Sequence, residues 1–274
     1  MSNRNTIKDF AEHQYKTSQN LNDRMNLWSY GSNPETLPKW IFSKINLQEH
    51  ERVLELGCGT GQLWLENFNV VPSNCSVILS DFSKEMVNKS RSNLQSLNLP
   101  IEFEIIDAER ISYPDHTFDV VIACHMLYHI PNIQKALKSI NRIMKPNSRF
   151  IATTVGKRHL QELKDFLSSF GLYSQEKNWS KNFSEFTNET GKEILKSFFS
   201  DINFYEYINE VKINSIDPLM KYIESMFSFE DLAIFKRKKI EIKEALINIL
   251  EKKSEFKITG ICGLFEATSP KKIA

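Results

Sequence analysis

Residues 53–64 read VLELGCGTGQLW, a short apolar run followed by three glycines at alternate positions. The apolar run has the length of a buried strand, and the residues after the glycines are typical of the start of a helix. A glycine lets the backbone approach a ligand at places where any Cβ atom would collide with it. The stretch therefore predicts a ligand-binding turn between a strand and a helix, built around Gly57, Gly59 and Gly61.

Predicted strands and helices alternate on both sides of this turn. Apolar or alternating runs predict strands at 52–57, 76–81, 101–107, 118–124 and 149–155, with helix-spaced apolar residues between most of them. Strands that alternate with helices indicate a parallel sheet covered by helices on both faces. The sequence thus predicts an α/β fold with a doubly wound, mostly parallel sheet.

The second half of the chain is less regular. A sixth strand or hairpin arm is predicted at 202–214 and a final strand at 257–269, with strongly helical stretches between them. We expect four parts, namely an N-terminal lid (1–36), a ligand-binding core (37–156), a cap insertion (157–190), and the completion of the sheet with additional cap helices (191–274).

Composition excludes several classes of protein. The 274 residues carry a formal net charge of +1, so no overall field attracts a polyanion, and the densest basic run, KRKKIEIK (236–243), is diluted by glutamate. No apolar run is long enough to span a bilayer, and the polar amino terminus lacks the apolar core of a secretory signal. The four cysteines are scattered without metal-binding spacing. We therefore expect a cytoplasmic protein with no metal site and no nucleic-acid or membrane partner.

Two ligand classes fit a glycine turn at the carboxyl end of a strand: dinucleotides, and adenosyl compounds that carry an amino-acid tail. A dinucleotide turn reads GxGxxG, whereas this chain has GxGxG with Glu55 two residues before the first glycine. Asp81 ends the next strand, about 20 residues later, where an acid can bind ribose hydroxyls in either class. Asp107 ends the third strand, where a carboxylate can accept from an adenine amine while the Ala108 N–H donates to a ring nitrogen.

Four segments together resemble the class I S-adenosylmethionine (SAM)-dependent methyltransferases, specifically their type 11, small-molecule branch. The segments are VLELGCGTG (53–61), SDFSKEM (80–86), IIDAERISYPDHTFDVVIACHMLYHI (105–130) and IMKPNSRFIATT (143–154). The resemblance implies a seven-stranded Rossmann-like sheet with an antiparallel last strand, a helical cap, and a SAM-binding core at 37–156. Asn147 and Ser148 replace the family's usual Gly-Gly before the fifth strand, at a turn remote from the cofactor.

The resemblance also implies which residues hold SAM and its product, S-adenosylhomocysteine (SAH). The expected contacts are Glu55 near the methionine ammonium group, Tyr15 near the methionine carboxylate, Gly57, Cys58, Gly59, Gly61 and the backbone of Cys124 along the methionine moiety, Asp81 at the ribose, and Phe82, Asp107 and Ala108 at the adenine. The alternative interpretation of Phe82 is an ordinary core residue. Asp119, at the opposite end of its strand, is expected to be structural.

Methyl transfer from a sulfonium is an in-line displacement, so alignment and exclusion of water can supply much of the catalysis. A general base is needed only when the acceptor is a poor nucleophile that carries a proton. The fourth strand ends in CHMLYHI (124–130), which would deliver His125, Tyr128 and His129 to the catalytic crevice. A histidine of near-neutral pKa could deprotonate a hydroxyl, amine or thiol acceptor. The competing interpretation is a histidine that packs and hydrogen-bonds below the pocket.

Aromatic residues in two regions are candidates for the roof of an acceptor pocket. The N-terminal segment carries Tyr15 and Tyr30 and would fold over the cofactor as a lid. The cap insertion and the later helices carry His159, Trp179 and Tyr222. Aromatic walls near a sulfonium give cation–π stabilisation and keep the site dry. Tyr30, His159, Trp179 and Tyr222 are therefore the expected substrate contacts, although the same aromatics could form the cap's own small core.

The expected function is methyl transfer to O, N or S of a small-molecule metabolite, carried out by a monomer or a homodimer. An RNA- or protein-modifying methyltransferase would need a basic stripe near the pocket. A non-catalytic SAM-binding protein would be expected to have a damaged cofactor turn, whereas here the turn is intact. A dehydrogenase is disfavoured by the GxGxG spacing.

Overall fold

A computed structural model describes residues 19–97, 99–172, 186–227 and 229–271 of the chain. Its strands are β1 (Arg52–Leu56), β2 (Ser76–Asp81), β3 (Ile101–Ile105), β4 (Phe118–Cys124), β5 (Met144–Val155), β6 (Phe199–Ile213) and β7 (Phe256–Pro270). They form one seven-stranded sheet in the order β3-β2-β1-β4-β5-β7-β6. The sequence therefore predicted each strand to within a few residues, apart from the five extra residues at the start of β5.

Strand direction confirms the predicted sheet. β1 runs parallel to β2 and β4, β2 runs parallel to β3, and β4 runs parallel to β5. The last strand, β7, is antiparallel to both of its neighbours, β5 and β6. The strand order reverses between β1 and β4, and a doubly wound sheet opens a crevice at the carboxyl ends of its strands at such a point.

Nine helices accompany the strands in the described part of the chain. They are α1 (Gln19–Trp28), α2 (Leu37–Ile45), α3 (Gln62–Leu65), α4 (Lys84–Leu94), α5 (Ile133–Ile143), α6 (Gln161–Ser168), α7 (Gly191–Leu195), α8 (Ile216–Met226) and α9 (Phe229–Lys253). Side-chain caps fix several of their starts: the Ser83 hydroxyl accepts from the Met86 N–H at 3.4 Å, and the Asn132 side chain accepts from the Lys135 N–H at 3.1 Å.

The apolar run of β4 explains how the sheet is held. Val121 and Ala123 are fully buried in the core on one face of the sheet, where α5 packs. Val120 and Ile122 are fully buried in the core on the other face, where α2 and α3 pack. Alternate residues of a strand point to opposite faces, so a continuous apolar strand requires cover on both sides.

The β6–β7 hairpin extends beyond the rest of the sheet. β5 pairs with β7 only as far as Val155 opposite Cys262, whereas β6 and β7 remain paired to Ile213 opposite Phe256. A third core forms on this extension from apolar residues of α1, α6, α8 and α9. We call these four helices, together with hairpin residues 207–213 and 256–262, the cap.

The amino-terminal part of the described chain is tied to the cap. Leu27 of α1 is fully buried in the cap core. After α1, Gly31 forms an antiparallel bridge with Val211 of β6, and the Ser32 N–H donates to the Glu210 carbonyl at 2.8 Å. The segment from α1 to Ser32 is therefore held against the hairpin of the cap.

Candidate active site

A large cavity, about 960 Å³ in volume, opens at the carboxyl ends of β1, β2 and β4 and continues under the cap. Its sheet side is lined by the glycine turn, Asp81, Asp107 and the residues that follow β4. Its cap side is lined by residues of α1 and of the hairpin extension, including Trp28, Tyr207 and Cys262. The described residues thus line one continuous space that reaches from the turn of the sequence motif to the cap.

Two glycines of the turn have different neighbours. Gly57 has φ +70° and Gly59 has φ +54°, backbone conformations that residues other than glycine rarely adopt. A Cβ atom on Gly57 would lie 2.7 Å from the Cβ of Met126, whereas a Cβ on Gly59 would meet Leu21 at 3.4 Å. Gly57 is therefore required for packing against the residues after β4, and Gly59 faces the cavity.

The other two turn residues are bound into the surrounding structure. Cys58 is buried at the cavity wall, and its backbone N–H donates to the Ser80 carbonyl at 2.8 Å. Gly61 precedes α3, where an added Cβ would lie 2.6 Å from the Ser90 hydroxyl. The structure thus brings Gly57, Cys58 and Gly59 to the cavity and places Gly61 behind them, against α4.

Asp81 connects the end of β2 to the glycine turn. One carboxylate oxygen accepts from the Gly59 N–H at 3.0 Å, and the other accepts from the Ser83 N–H at 2.8 Å. Burial raises the pKa of Asp81, while these backbone donors oppose that shift. The carboxylate therefore stands at the cavity wall in a fixed orientation.

Glu55 is a buried carboxyl beneath the same turn. Its side chain is 2% exposed, and one oxygen accepts from the Trp64 Nε1–H at 2.6 Å. Burial is the largest cause that raises its pKa to about 7, and the nearby charge of Asp81 adds to the effect. Among the described residues no cation pairs with it, so the pocket is suited to a positive group of a ligand.

Three residues form the wall beyond β2 and β3. Phe82 is 46% exposed, which is unusual for a large apolar side chain, and it lines the cavity together with Asp107 and Ala108. An Asp107 carboxylate oxygen accepts from the Glu109 N–H at 2.9 Å, while Ala108 is buried. An exposed aromatic ring near a fixed carboxylate is a suitable surface for a flat heterocycle.

The residues after β4 bring two histidines to the cavity. His125 has φ +52°, and its backbone N–H donates to the Thr153 hydroxyl at 3.0 Å. Its Nε2 lies 3.4 Å from the sulfur of Cys262. His129 follows in a 3₁₀ turn, Leu127–His129, and also lines the cavity. Cys124 precedes them at the cavity wall.

Both imidazoles are held neutral. Burial lowers the pKa of His125 to about 4. Burial, aided by Arg24 and His125, lowers the pKa of His129 to about 3. A ring with so low a pKa is a weak general base, so the expected near-neutral histidine is not what this environment produces. Tyr128, expected beside them in the crevice, packs against the His129 ring at 4.6 Å and lies outside the cavity lining.

Of the four expected substrate contacts, one lines the cavity, two lie away from it, and one lies outside the described residues. His159 lines the cavity, and burial lowers its pKa to about 3. Tyr222 is buried in the cap core behind Trp28, with the two rings edge to face at 6.1 Å. Tyr30 is 38% exposed outside the cavity lining, because α1 ends before it and the chain turns toward β6. Trp179, and likewise the expected cofactor contact Tyr15, lie outside the described residues.

Several cavity residues were not singled out from the sequence. Trp28, Tyr207, Asn209 and Cys262 all line the cavity. Tyr207 and Asn209 are two residues apart on β6, so the alternation of the strand could have placed them on one face. Trp28 belongs to the predicted lid but carries no motif, and Cys262 lacks any spacing that marks a ligand-binding residue.

A family model described as a methyltransferase domain matches residues 47–203, more than half of the chain. The chain belongs to the class I SAM-dependent methyltransferases. The protein is therefore an enzyme, as the sequence predicted, and its family implies SAM as the methyl donor.

Curated relatives of this methyltransferase include proteins named ubiquinone/menaquinone biosynthesis C-methyltransferase UbiE. The protein from Rickettsia akari is 31% identical over 156 residues, which are 55% of this chain and 62% of the relative. The protein from Vibrio campbellii is 30% identical over 125 residues, which are 45% of this chain and 48% of the relative. The methyltransferase thus spans less than two thirds of the length of these relatives.

Solved structures show the same fold as this methyltransferase. A Bacillus halodurans C-125 protein described as a methyltransferase has a TM-score of 0.58 at 14% identity, covering 86% of this chain and 100% of its own. The [4+2]-cyclase SpnF has a TM-score of 0.53 at 18% identity, covering 93% of this chain and 96% of its own. Within the described ranges of the methyltransferase, no helix is both long enough and apolar enough to cross a bilayer.

Proposed function

We propose that this methyltransferase moves the methyl group of SAM to a small-molecule acceptor bound beneath the cap. The observation that carries the proposal is the continuity of the cavity from Gly59 and Asp81, on the sheet side, to Trp28 and Cys262, on the cap side. One continuous space can hold a cofactor and a compact acceptor next to each other.

The sheet side of the cavity fits SAM. The buried carboxyl of Glu55 suits the ammonium group of an amino-acid tail, and Gly59 leaves room for that tail beside the backbone. Asp81 is placed to accept from ribose hydroxyls, while Phe82 and Asp107 offer a face and an acceptor to an adenine ring. When bound, SAM supplies a methyl group on a sulfonium, which needs no further activation.

His125 and His129 are assigned to orient the acceptor. Their lowered pKa values, about 4 and about 3, keep both rings neutral near pH 7, so each can accept or donate one hydrogen bond. The same values make them poor at removing a proton from an unactivated hydroxyl or amine. We therefore favour an acceptor that is already nucleophilic, and the low pKa values disfavour His129 as a general base.

The names of the curated relatives add one acceptor atom to those expected from the sequence. Those relatives are named C-methyltransferases, so carbon joins oxygen, nitrogen and sulfur as a candidate acceptor atom for this chain. A cytoplasmic location stays a prediction from composition.

An RNA- or protein-modifying activity has less support. The basic run at 236–243 lies on α9, and none of its residues lines the cavity. The single arginine among the lining residues is Arg110, in the loop after β3. A polyanionic substrate would be expected to meet several cations near the reacting atoms.

Two measurements test the proposal. SAH, at saturating concentration, is expected to raise the melting temperature of the protein, whereas NADH is not. A panel of metabolites is then incubated with methyl-labelled SAM, and label is expected in at least one small molecule. No thermal shift with SAH would contradict the cofactor assignment. Transfer to RNA or protein, with none to any metabolite, would contradict the acceptor class.

A further inference from the structure

We propose that Cys262 is a positioning residue: its S–H donates a hydrogen bond to Nε2 of His125 and thereby holds the ring in the tautomer that carries its proton on Nδ1. The pair connects the residue after β4 to β7, although the two side chains are 137 positions apart in the chain. What the Nδ1–H meets in the cavity rests on the proposed function, whereas the tautomer itself does not.

The sheet itself brings the two side chains together. The backbone N–H of His125 donates to the hydroxyl and to the carbonyl of Thr153 in β5, and Val155, two residues later, pairs with Cys262 of β7. The Cys262 sulfur lies 3.4 Å from Nε2 of His125, whereas its contact with the Gly263 carbonyl is longer, at 3.8 Å. The sulfur–nitrogen contact is therefore set by three neighbouring strands and not by a mobile loop.

Both partners of this contact are neutral near pH 7. Burial raises the pKa of the Cys262 thiol, so the sulfur keeps its hydrogen. Burial lowers the pKa of His125 to about 4, so the ring carries one proton and not two. These shifts disfavour the thiolate–imidazolium pair that makes a cysteine reactive. The contact is therefore a hydrogen bond between neutral groups, and its direction decides which ring nitrogen of His125 is protonated.

The hydrogen bond runs from sulfur to nitrogen, because an unprotonated ring nitrogen is a good acceptor and a thiol sulfur is a weak one. With Nε2 as the acceptor, the single ring proton of His125 is on Nδ1. Among the described residues no group bonds to this Nδ1, and His125 lines the cavity. The N–H that His125 offers to a ligand is therefore Nδ1–H. Under the proposed function, it donates to a lone pair of the methyl acceptor and so orients it.

The test is ¹H–¹⁵N NMR of the histidine rings in ¹⁵N-labelled protein at pH 7, since the chemical shifts of the two ring nitrogens distinguish the tautomers. The signals of His125 are those that His125→Gln removes. We expect the Nδ1–H tautomer in the wild type, both without ligand and with saturating SAH. Cys262→Ser retains a donor and should keep this tautomer. Cys262→Ala removes the donor and should change the tautomer ratio about three- to tenfold toward Nε2–H, as expected for the loss of one hydrogen bond.

Cys75→Ala is the matched control, because Cys75 is also a buried thiol but lies before β2, with its sulfur 3.1 Å from the Gln48 carbonyl oxygen. It should leave the His125 signals unchanged. An Nε2–H tautomer in the wild type, or an equal tautomer ratio in the wild type and Cys262→Ala, would overturn the inference. So would Cys262→Ser behaving like Cys262→Ala. Failure of the wild type to bind SAH, with the Nδ1–H tautomer present, would instead count against the proposed function alone.

Discussion

The backbone N–H of Gly59 donates a hydrogen bond to the carboxylate of Asp81 over 3.0 Å, although the two residues are 22 positions apart in the chain. The bond connects the end of β2 to the turn that follows β1. Asp81 therefore has two functions in our proposal: it holds the turn open, and it presents its remaining acceptor capacity to a ribose. A carboxylate accepts several hydrogen bonds at once, which makes the two functions compatible.

Asp81→Asn should leave the protein folded but weaken its binding of the cofactor. The amide keeps one acceptor for the backbone donors but loses the negative charge and part of the acceptor capacity. We expect the affinity for SAH to fall about 10- to 100-fold, as is typical when a hydrogen bond to a charged group is lost. Isothermal titration with SAH measures the effect.

Asp119→Asn is the matched control for this substitution. The Asp119 carboxylate accepts from the Arg52 N–H at 2.9 Å and from the Lys145 ammonium group at 2.7 Å, at the amino ends of β1 and β4. Its replacement should lower the melting temperature and leave SAH affinity unchanged. Equal SAH affinity of wild type and Asp81→Asn would show that Asp81 serves the turn alone.

Substitution of Gly57 should mainly lower the stability of the protein, whereas substitution of Gly59 should mainly lower its affinity for SAH. Gly57→Ala introduces a Cβ atom 2.7 Å from Met126 at φ +70°, so we expect it to cost about 3 kcal/mol or more in the free energy of unfolding. Gly59→Ala, at φ +54° with its nearest contact at 3.4 Å, should cost about 1 kcal/mol but place a methyl group in the cavity.

Chemical denaturation and SAH titration of both variants provide the comparison. The expected pattern is a large loss of stability for Gly57→Ala, and a small loss of stability with a large loss of SAH affinity for Gly59→Ala. If Gly59→Ala bound SAH as tightly as the wild type, the ligand would not approach the turn at this residue.

The sheet side of the site could be predicted because its residues follow strands that are recognisable from short stretches of sequence. Gly59, Asp81 and Asp107 each follow a parallel strand that was recognisable from its apolar run. The carboxyl ends of neighbouring parallel strands meet at one edge of the sheet, so residues far apart in the chain could be placed together without the structure. Their roles toward SAM stay predictions, but their positions around one cavity are confirmed.

The cap half could not be predicted in the same way. Trp28 lines the cavity and Tyr222 lies behind it, although both are aromatic residues of amphipathic helices. Which of the two faces the ligand depends on the extension of the β6–β7 hairpin beyond β5, which sets where α1 and α8 pack. The low pKa of His129 has the same origin, because burial under the cap causes it. These are long-range effects that no single stretch of sequence carries.

The Glu55 carboxyl should make cofactor binding depend on pH. Burial raises its pKa to about 7, so below that pH the side chain is largely protonated and neutral. A bound ammonium group favours the ionised form, so binding expels the proton. The affinity for SAH should therefore rise between about pH 5.5 and pH 7.5, approaching tenfold per pH unit at the acidic end, and level off above the pKa.

Glu55→Gln is the test variant, since the amide can still accept from the Trp64 Nε1–H that now bonds the carboxylate at 2.6 Å. Its affinity for SAH should be low and nearly independent of pH over the same range. The raised pKa also means that the ligand-free protein loses stability as pH rises from about 4.5 to about 7, because the folded state holds a proton that the unfolded state has released. Glu55→Gln should thus melt at least as high as the wild type at pH 8. A wild-type affinity that does not change with pH would place the ammonium group away from Glu55.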